Sequence, residues 1–369
     1  MFIERTSVGL DVHARSVRAA VIDSFTGEVI EQAVPAQVEQ VVEFVLRIRQ
    51  EHGEVVVTYE AGPSGYVLYR ALEQVGVRCQ VAAPSKLLRP PGDRVKTDAR
   101  DAMLLARLAR NDDIVCVQVP TVAQEAARDL VRAREDARRD LMAARHRLSK
   151  LCLRQGQVYT GGDAWTGKHD AWLRRIRAQD LATACGPGTL TAFDAAYDTV
   201  QVTLARRDRL ESAIMAAVAD GDEFTDVTRR LGCLRGIATL TGYALAVEIG
   251  DWHRFTGATI GAFLGLVPSE HSSGASRAQG SITKTGNSHA RRLLIEAAWQ
   301  HKKPYRPGAT MTARWRQAPA TTAARGDLGN RRLHRRWIGF EARKKPNNLA
   351  NTAIARELAG WCWSLATMD

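Results

Sequence analysis

The segment KTDARDAMLLARL (96–108) opens an apolar helical pattern with two aspartates, Asp98 and Asp101, on one face of its first turn. Like charges that close repel each other unless a cation sits between them. Two further acids fall where strands are expected. Asp11 interrupts the otherwise apolar stretch TSVGLDVH (6–13), and Glu60 ends the run EVVVTYE (54–60) just before Gly62. A carboxylate set into a strand loses water and needs a partner. Clustered carboxylates suit a hard cation. Mg²⁺ prefers oxygen ligands, and a pair of ions clamps the attacking and leaving oxygens of a phosphodiester. The expected metal-binding and catalytic acids are therefore Asp11, Glu60, Asp98 and Asp101. Singly, Asp98 also fits a helix cap and Asp101 an arginine partner; the four in order make the case for a site. His13, two residues from Asp11, is read as a neighbour rather than a ligand.

The elements that must position these acids read as mixed α/β. TSVGLDVH, SVRAAVIDS (16–24) and EVIEQAV predict three strands, with FTGE as a turn. A helix near 37–51, the strand EVVVTYE, a helix from about 65 to 75 and the strand VRCQVAA follow, then the helix that carries Asp98 and Asp101. Three meandering strands, then strands alternating with helices, is the element order of an RNase H-like fold. In such a sheet the first and fourth strands are neighbours, so Asp11 and Glu60 face each other and the aspartates arrive from the following helix.

Beyond about residue 123 the period changes. Ala126, Leu130, Ala133, Ala137, Leu141, Ala144, Leu148 and Leu151 recur at three- and four-residue steps, which predicts a long amphipathic helix with coiled-coil spacing. A second covers roughly 189–219, and the stretch 156–188 joins them. An antiparallel hairpin, a dimerising stalk and a spacer packed on its own domain all fit. Further on, LRGIATLTGYALAVEIGD (234–251) predicts two short helices around Gly236, like a helix-hairpin-helix that offers backbone N–H groups to phosphate. The usual second glycine is replaced by Ala238, so a purely structural hairpin fits equally. The polar loop VPSEHSSGASRAQGSITKTGN and the helix SHARRLLIEAAW follow.

Net charge is +12, and it is concentrated. From residue 301 onward, 14 Lys and Arg stand against 4 Asp and Glu, interleaved with Tyr305, Trp315 and Trp337. Cations with aromatics suit a polyphosphate chain with bases to stack, and a solvated basic tail is the plainer reading. Its apolar end, ELAGWCWSLATM, is free to pack into a core. Six scattered cysteines without CxxC spacing argue against a zinc site or disulfide framework and fit a reducing cytosol. There is no apolar run of bilayer length and no signal-peptide pattern, so a cytoplasmic location is expected.

GLDVH, TYEAGP and KTDARDAMLLA resemble the acidic motifs of the DEDD transposases of bacterial insertion sequences, the bridge-RNA recombinases. The stretch 235–299 resembles their C-terminal transposase domain. The resemblance implies a RuvC-like catalytic domain over 1–118, a helical coiled-coil linker over 119–228 and a mainly helical transposase domain over 229–302; the stretch 156–188 and the basic C-terminal extension over 303–369 have no counterpart in it. It implies that Asp11, Glu60, Asp98 and Asp101 hold two Mg²⁺ ions, with Mn²⁺ able to substitute. It also implies a nucleophilic serine directly before a glycine, which in EHSSGAS is Ser273; Ser272 and Ser276 lie close in register. A serine attacking a DNA phosphate forms a phosphoserine ester, which conserves the energy of the broken bond for rejoining. The implied partners are target and donor double-stranded DNA, a structured non-coding guide RNA, and further copies of the chain in a dimer or tetramer with composite active sites.

Three rivals are distinguishable. A RuvC-like structure-specific nuclease uses the acids and water, with no covalent intermediate. An actin-like phosphotransferase needs a Gly- and Thr-rich turn after its first strand, and DVHARS has none. A non-catalytic nucleic-acid scaffold binds without cutting.

Overall fold

Apolar stretches broken by turn-forming residues pair as an antiparallel meander, β1 (Thr6–Val12), β2 (Ser16–Ile22) and β3 (Val29–Pro35). The β2–β3 turn is held by Asp23, whose carboxylate accepts from the N–H groups of Phe25 and Thr26 at 2.8 and 2.7 Å. The computed structural model describes residues 5–87, 97–184, 186–270 and 278–368, and the chain divides after Pro120 into two units.

In the first unit, α1 (Val38–His52) leads to β4 (Val55–Glu60), and α2 (Val67–Gln74) to β5 (Arg78–Ala82). β4 pairs parallel to β1 and β5 parallel to β4, so the order is β3-β2-β1-β4-β5. Parallel neighbours require crossover connections, and the two helices supply them. One sheet face buries Val8, Leu10, Val57 and Tyr59 with Val45 and Leu72 of those helices. The other buries Ala20 and Ile22 against Ala102, Met103 and Ala106 of α3 (Asp98–Arg110). The first and fourth strands are thus neighbours, as the element order requires.

The second unit begins with α4 (Val122–Arg154), which Thr121 caps by accepting from the Gln124 N–H at 3.0 Å. Its partner α7 (Pro187–Asp220) ends at Gly221 in the left-handed conformation. Arg134 pairs with Glu211 and Arg206 with Asp140, so the numbering runs in opposite senses and the pair is an antiparallel hairpin. Its seam buries Leu141, Ala144 and Leu148 with Phe193 and Val200. Between the two lie α5 (Gly167–Ile176), a π-helical turn over Arg177–Leu181 and α6 (Ala182–Ala184); Leu173, Ile176 and Leu181 pack into the same seam.

The other end of the hairpin contributes Ala127, Val131 and Ile214 to a helical core. That core is built by α8 (Thr225–Leu231), α9 (Thr239–Ile249), α10 (Ile260–Phe263) and α11 (Ser288–Ala298), with a small hairpin of β6 (Pro268–Glu270) and β7 (Gln279–Ile282). Gly236, between α8 and α9, has φ +85°, and a Cβ there would lie 2.5 Å from the Ala297 carbonyl oxygen. The turn therefore serves packing as well as direction.

The basic stretch folds as α12 (Ala309–Trp315), α13 (Ala320–Ala342) and α14 (Asn347–Ala366). Leu333, Trp337, Ile354, Leu358 and Cys362 are fully buried in the same core as Leu234, Ile237 and Leu245. Its apolar end packs inward, while Arg331, Arg332 and Arg335 stay exposed. The five described cysteines are unpaired. Among the described residues no helix is long and apolar enough to cross a membrane.

Candidate active site

Asp11 lies near the end of β1 and Glu60 ends β4. The register pairs Gly9 with Thr58 and Leu10 with Tyr59, which makes Asp11 and Glu60 the next residues along two neighbouring parallel strands. Alternation puts Asp11 on the same face as Gly9. That is the face α3 covers. A Cβ on Gly9 would lie 2.1 Å from the Ala102 carbonyl oxygen and 2.5 Å from the Ala106 nitrogen. The bare glycine and the small alanines let the helix backbone rest on the strand, so the first turn of α3 reaches Asp11.

Thr97 caps α3, its hydroxyl accepting from the Arg100 N–H at 3.4 Å. Asp98, the first helical residue, is therefore not the cap. Its carboxylate lies 3.7 Å from His13 Nε2, and Asp11 Oδ2 lies 3.2 Å from the same nitrogen. Asp11, His13 and Asp98 present ligand atoms that all lie within 4.8 Å of one another. Burial pushes the Asp11 carboxyl above its usual range. His13 works against that shift, while the charges of Asp101 and Asp98 add to it. Asp101 is thus within electrostatic reach of Asp11 without belonging to the three-residue group. Glu60 is half-buried at its strand end and also lies outside that group.

This arrangement fits a divalent cation. Two carboxylates and an imidazole converge, and the more buried acid carries a charge that its surroundings disfavour; a cation at that point offsets the cost. Two contributors were missed in the sequence. His13 joins the acids because the strand ends at Val12 and the chain turns there, so simple alternation does not describe its side chain. Gly9 carries a readable signal, since a lone glycine inside an apolar strand marks close backbone approach.

Ser272, Ser273 and Ser276 lie outside the described residues. They fall in the sequence between β6 and β7, whose register pairs Pro268 with Ile282 and Glu270 with Gln279. Just beyond β7, Asn287 caps α11 by accepting from the Ala290 N–H at 2.9 Å, and its amide donates to Glu248 at 2.7 Å. The Glu248 side chain is fully buried, and it also meets Arg132 at 3.0 Å and His289 at 3.1 Å. Burial alone raises a carboxyl pKa, but these hydrogen bonds and the Arg132 charge outweigh it and hold Glu248 at about 2. The network ties α4, α9 and α11 together.

Two family models match the chain. One, described as a transposase of DEDD type, covers residues 8–155 and includes all four acids. The other, described as the transposase IS116/IS110/IS902 family, covers residues 228–310 and includes Ser273. The Sinorhizobium fredii protein y4qE, a transposase by provisional name, is 34% identical over 97% of this chain and 88% of its own. The transposase for insertion sequence element IS1533 of Leptospira borgpetersenii is 31% identical over 92% and 97%. The transposase for insertion sequence element IS1111A of Coxiella burnetii is 27% identical over 62% and 61%. The acids that the sheet and α3 draw together thus lie inside a DEDD transposase region that continues into the matching C-terminal region, and the chain belongs to the IS116/IS110/IS902 family of insertion-sequence transposases, enzymes of DNA recombination.

Proposed function

We propose that the protein cuts and rejoins DNA strands through a phosphoserine intermediate, with Ser273 as nucleophile and Asp11, Glu60, Asp98 and Asp101 as an RNase H-like site for two Mg²⁺ ions. The observation that carries the acidic half is the approach of Asp98 on α3 to Asp11 on β1 around His13. The strand order β3-β2-β1-β4-β5, which sets Glu60 beside Asp11, supports it. When bound, the cations supply Lewis-acid stabilisation of charge on the phosphate oxygens. The Ser273 hydroxyl loses its proton to a base as its Oγ bonds to phosphorus. The bridging P–O bond to one deoxyribose breaks, and that sugar oxygen takes a proton. Attack by a second strand's hydroxyl reverses these steps on a new partner and frees the serine.

A structured non-coding RNA selects target and donor DNA by base pairing in this reading. The chain acts as an oligomer in which the acids of one copy meet Ser273 of another. The exposed arginines of α13 are candidate RNA or DNA contacts, because phosphate neutralisation dominates such affinity.

Incubation of the protein with its element-end DNA, adjacent RNA and Mg²⁺ should yield a denaturant-resistant protein–DNA adduct. Ser273→Ala should lose adduct and strand transfer together while still binding nucleic acid. Ser272→Ala and Ser276→Ala should keep both. Cleavage that persists undiminished in Ser273→Ala would show a water-using nuclease instead. Mixing Asp11→Asn with Ser273→Ala protein should restore activity only if the site is shared between chains.

A further inference from the structure

A cleft of about 870 Å³ lies in the second unit, between the β6–β7 hairpin and helices α13 and α14. Its floor is made of small residues. Gly360 of α14 faces Gly257, and a Cβ on Gly261 would crowd the Arg356 side chain at 3.2 Å. Its walls carry Arg325, Arg336, Lys345 and Arg356, against Glu357 as the single acid among the described residues. Glu357 is already engaged by Arg332 and Arg336. The Arg325 guanidinium lies over the Trp361 ring at 4.6 Å and donates to Ser364 at 3.1 Å, so a planar cation is fixed at the wall. Arg356 and Lys345 are exposed, and neither is part of an ion pair among the described residues.

We propose that this cleft binds a single DNA strand, with its phosphates on Lys345 and Arg356 and a base stacked against the Arg325–Trp361 pair. The charge excess selects a polyanion. A stacking platform beside the phosphate path suits unpaired bases, because a duplex hides their faces. The small residues of the floor let an extended backbone approach closely. DNA is favoured over RNA because β6 and β7, which line the cleft, are the strands that flank Ser273. The strand held here is then the one that the serine cuts, and to that extent the inference rests on the proposed function.

The test uses Ser273→Ala protein in EDTA with a fluorescent single-stranded DNA, so that binding is read without chemistry. Lys345→Gln/Arg356→Gln should weaken binding at least tenfold. It should also reduce the slope of log affinity against log salt by about 1.4, since each phosphate deprived of its cation accounts for about 0.7. Lys303→Gln/Arg306→Gln removes the same charge from exposed positions outside the cleft and off α13, and should have a several-fold smaller effect. A 5-iodouracil-substituted strand should photo-crosslink to the peptide that holds Trp361. Equal effects of the two double variants, or a crosslink elsewhere, would overturn the proposal. So would weakening confined to RNA or duplex DNA competitors. An unchanged adduct assay with Ser273→Ala would refute the serine chemistry and leave these binding results standing.

Discussion

Gly9 of β1 lies directly beneath the Ala102 carbonyl of α3, so close that a single added methyl group would sit 2.1 Å from that oxygen. This contact sets the height of α3 above the sheet. The height decides whether Asp98, one helical turn earlier, reaches Asp11 and His13. Gly9→Ala should therefore push α3 outward. We expect a stability loss at or above the usual overpacking cost of ~1–3 kcal/mol, because the clash is with backbone. Strand transfer should fall more steeply than folding. Thermal melts with activity assays below the melting point check this; a fully active Gly9→Ala protein would show that the acids do not need the close approach.

The charge on Asp11 is disfavoured by burial and by its acidic neighbours. A carboxyl whose folded pKa is raised contributes stability below its unfolded pKa, about 3.9, and loses it as pH rises through the folded value. In metal-free protein the Asp11 contribution to the first unit's stability should thus decline as pH rises from the acid range toward neutral. Asp11→Asn should remove that decline and melt higher than wild type in EDTA at neutral pH. Mg²⁺ or Mn²⁺ should raise the wild-type midpoint and leave Asp11→Asn and Asp98→Asn almost unmoved. Equal metal stabilisation of wild type and both variants would rule out this site.

Truncation after residue 302 removes helices that close the second unit's core. Trp337, Ile354, Leu358 and Cys362 are all fully buried there. The second unit should unfold, while the first, which has its own core, stays protected in limited proteolysis. A milder probe is Leu358→Ala, expected to cost ~2–5 kcal/mol through transfer and cavity terms. A truncated chain whose second unit melts normally would show that these helices are dispensable.

Glu248 sits at about 2 through its bonds to His289, Arg132 and Asn287. A depressed carboxyl contributes stability above its unfolded pKa, about 4.3, and loses it as pH falls from there toward the folded value. Acid unfolding of the second unit should fall in that window. Glu248→Gln should flatten it and cost about 2–3 kcal/mol at neutral pH. That is less than a wholly buried pair loses, because Arg132 is 58% exposed. Denaturant titrations at neutral pH and at pH 3 would show the difference shrinking in acid; a constant difference would contradict the linkage.

The strand meander, the crossover helices and the long helices α4 and α7 were legible in the sequence because each rests on a local period; that α4 and α7 pair as an antiparallel hairpin was decided by packing. Alternation marks a half-buried strand, and three- and four-residue steps mark a helix face. The position of Asp11 was legible for a related reason: charge inside an apolar strand is locally anomalous. Contact between elements leaves no such trace. That His13 joins Asp11 and Asp98 follows from where the chain turns after Val12. That Thr97 rather than Asp98 caps α3 follows from backbone geometry at the helix start. The basic stretch after residue 301 was legible as charge, because charge counts every residue. Its role in the core was decided only by packing, which selects the inward stripe of α13 and α14 and leaves the arginines outside.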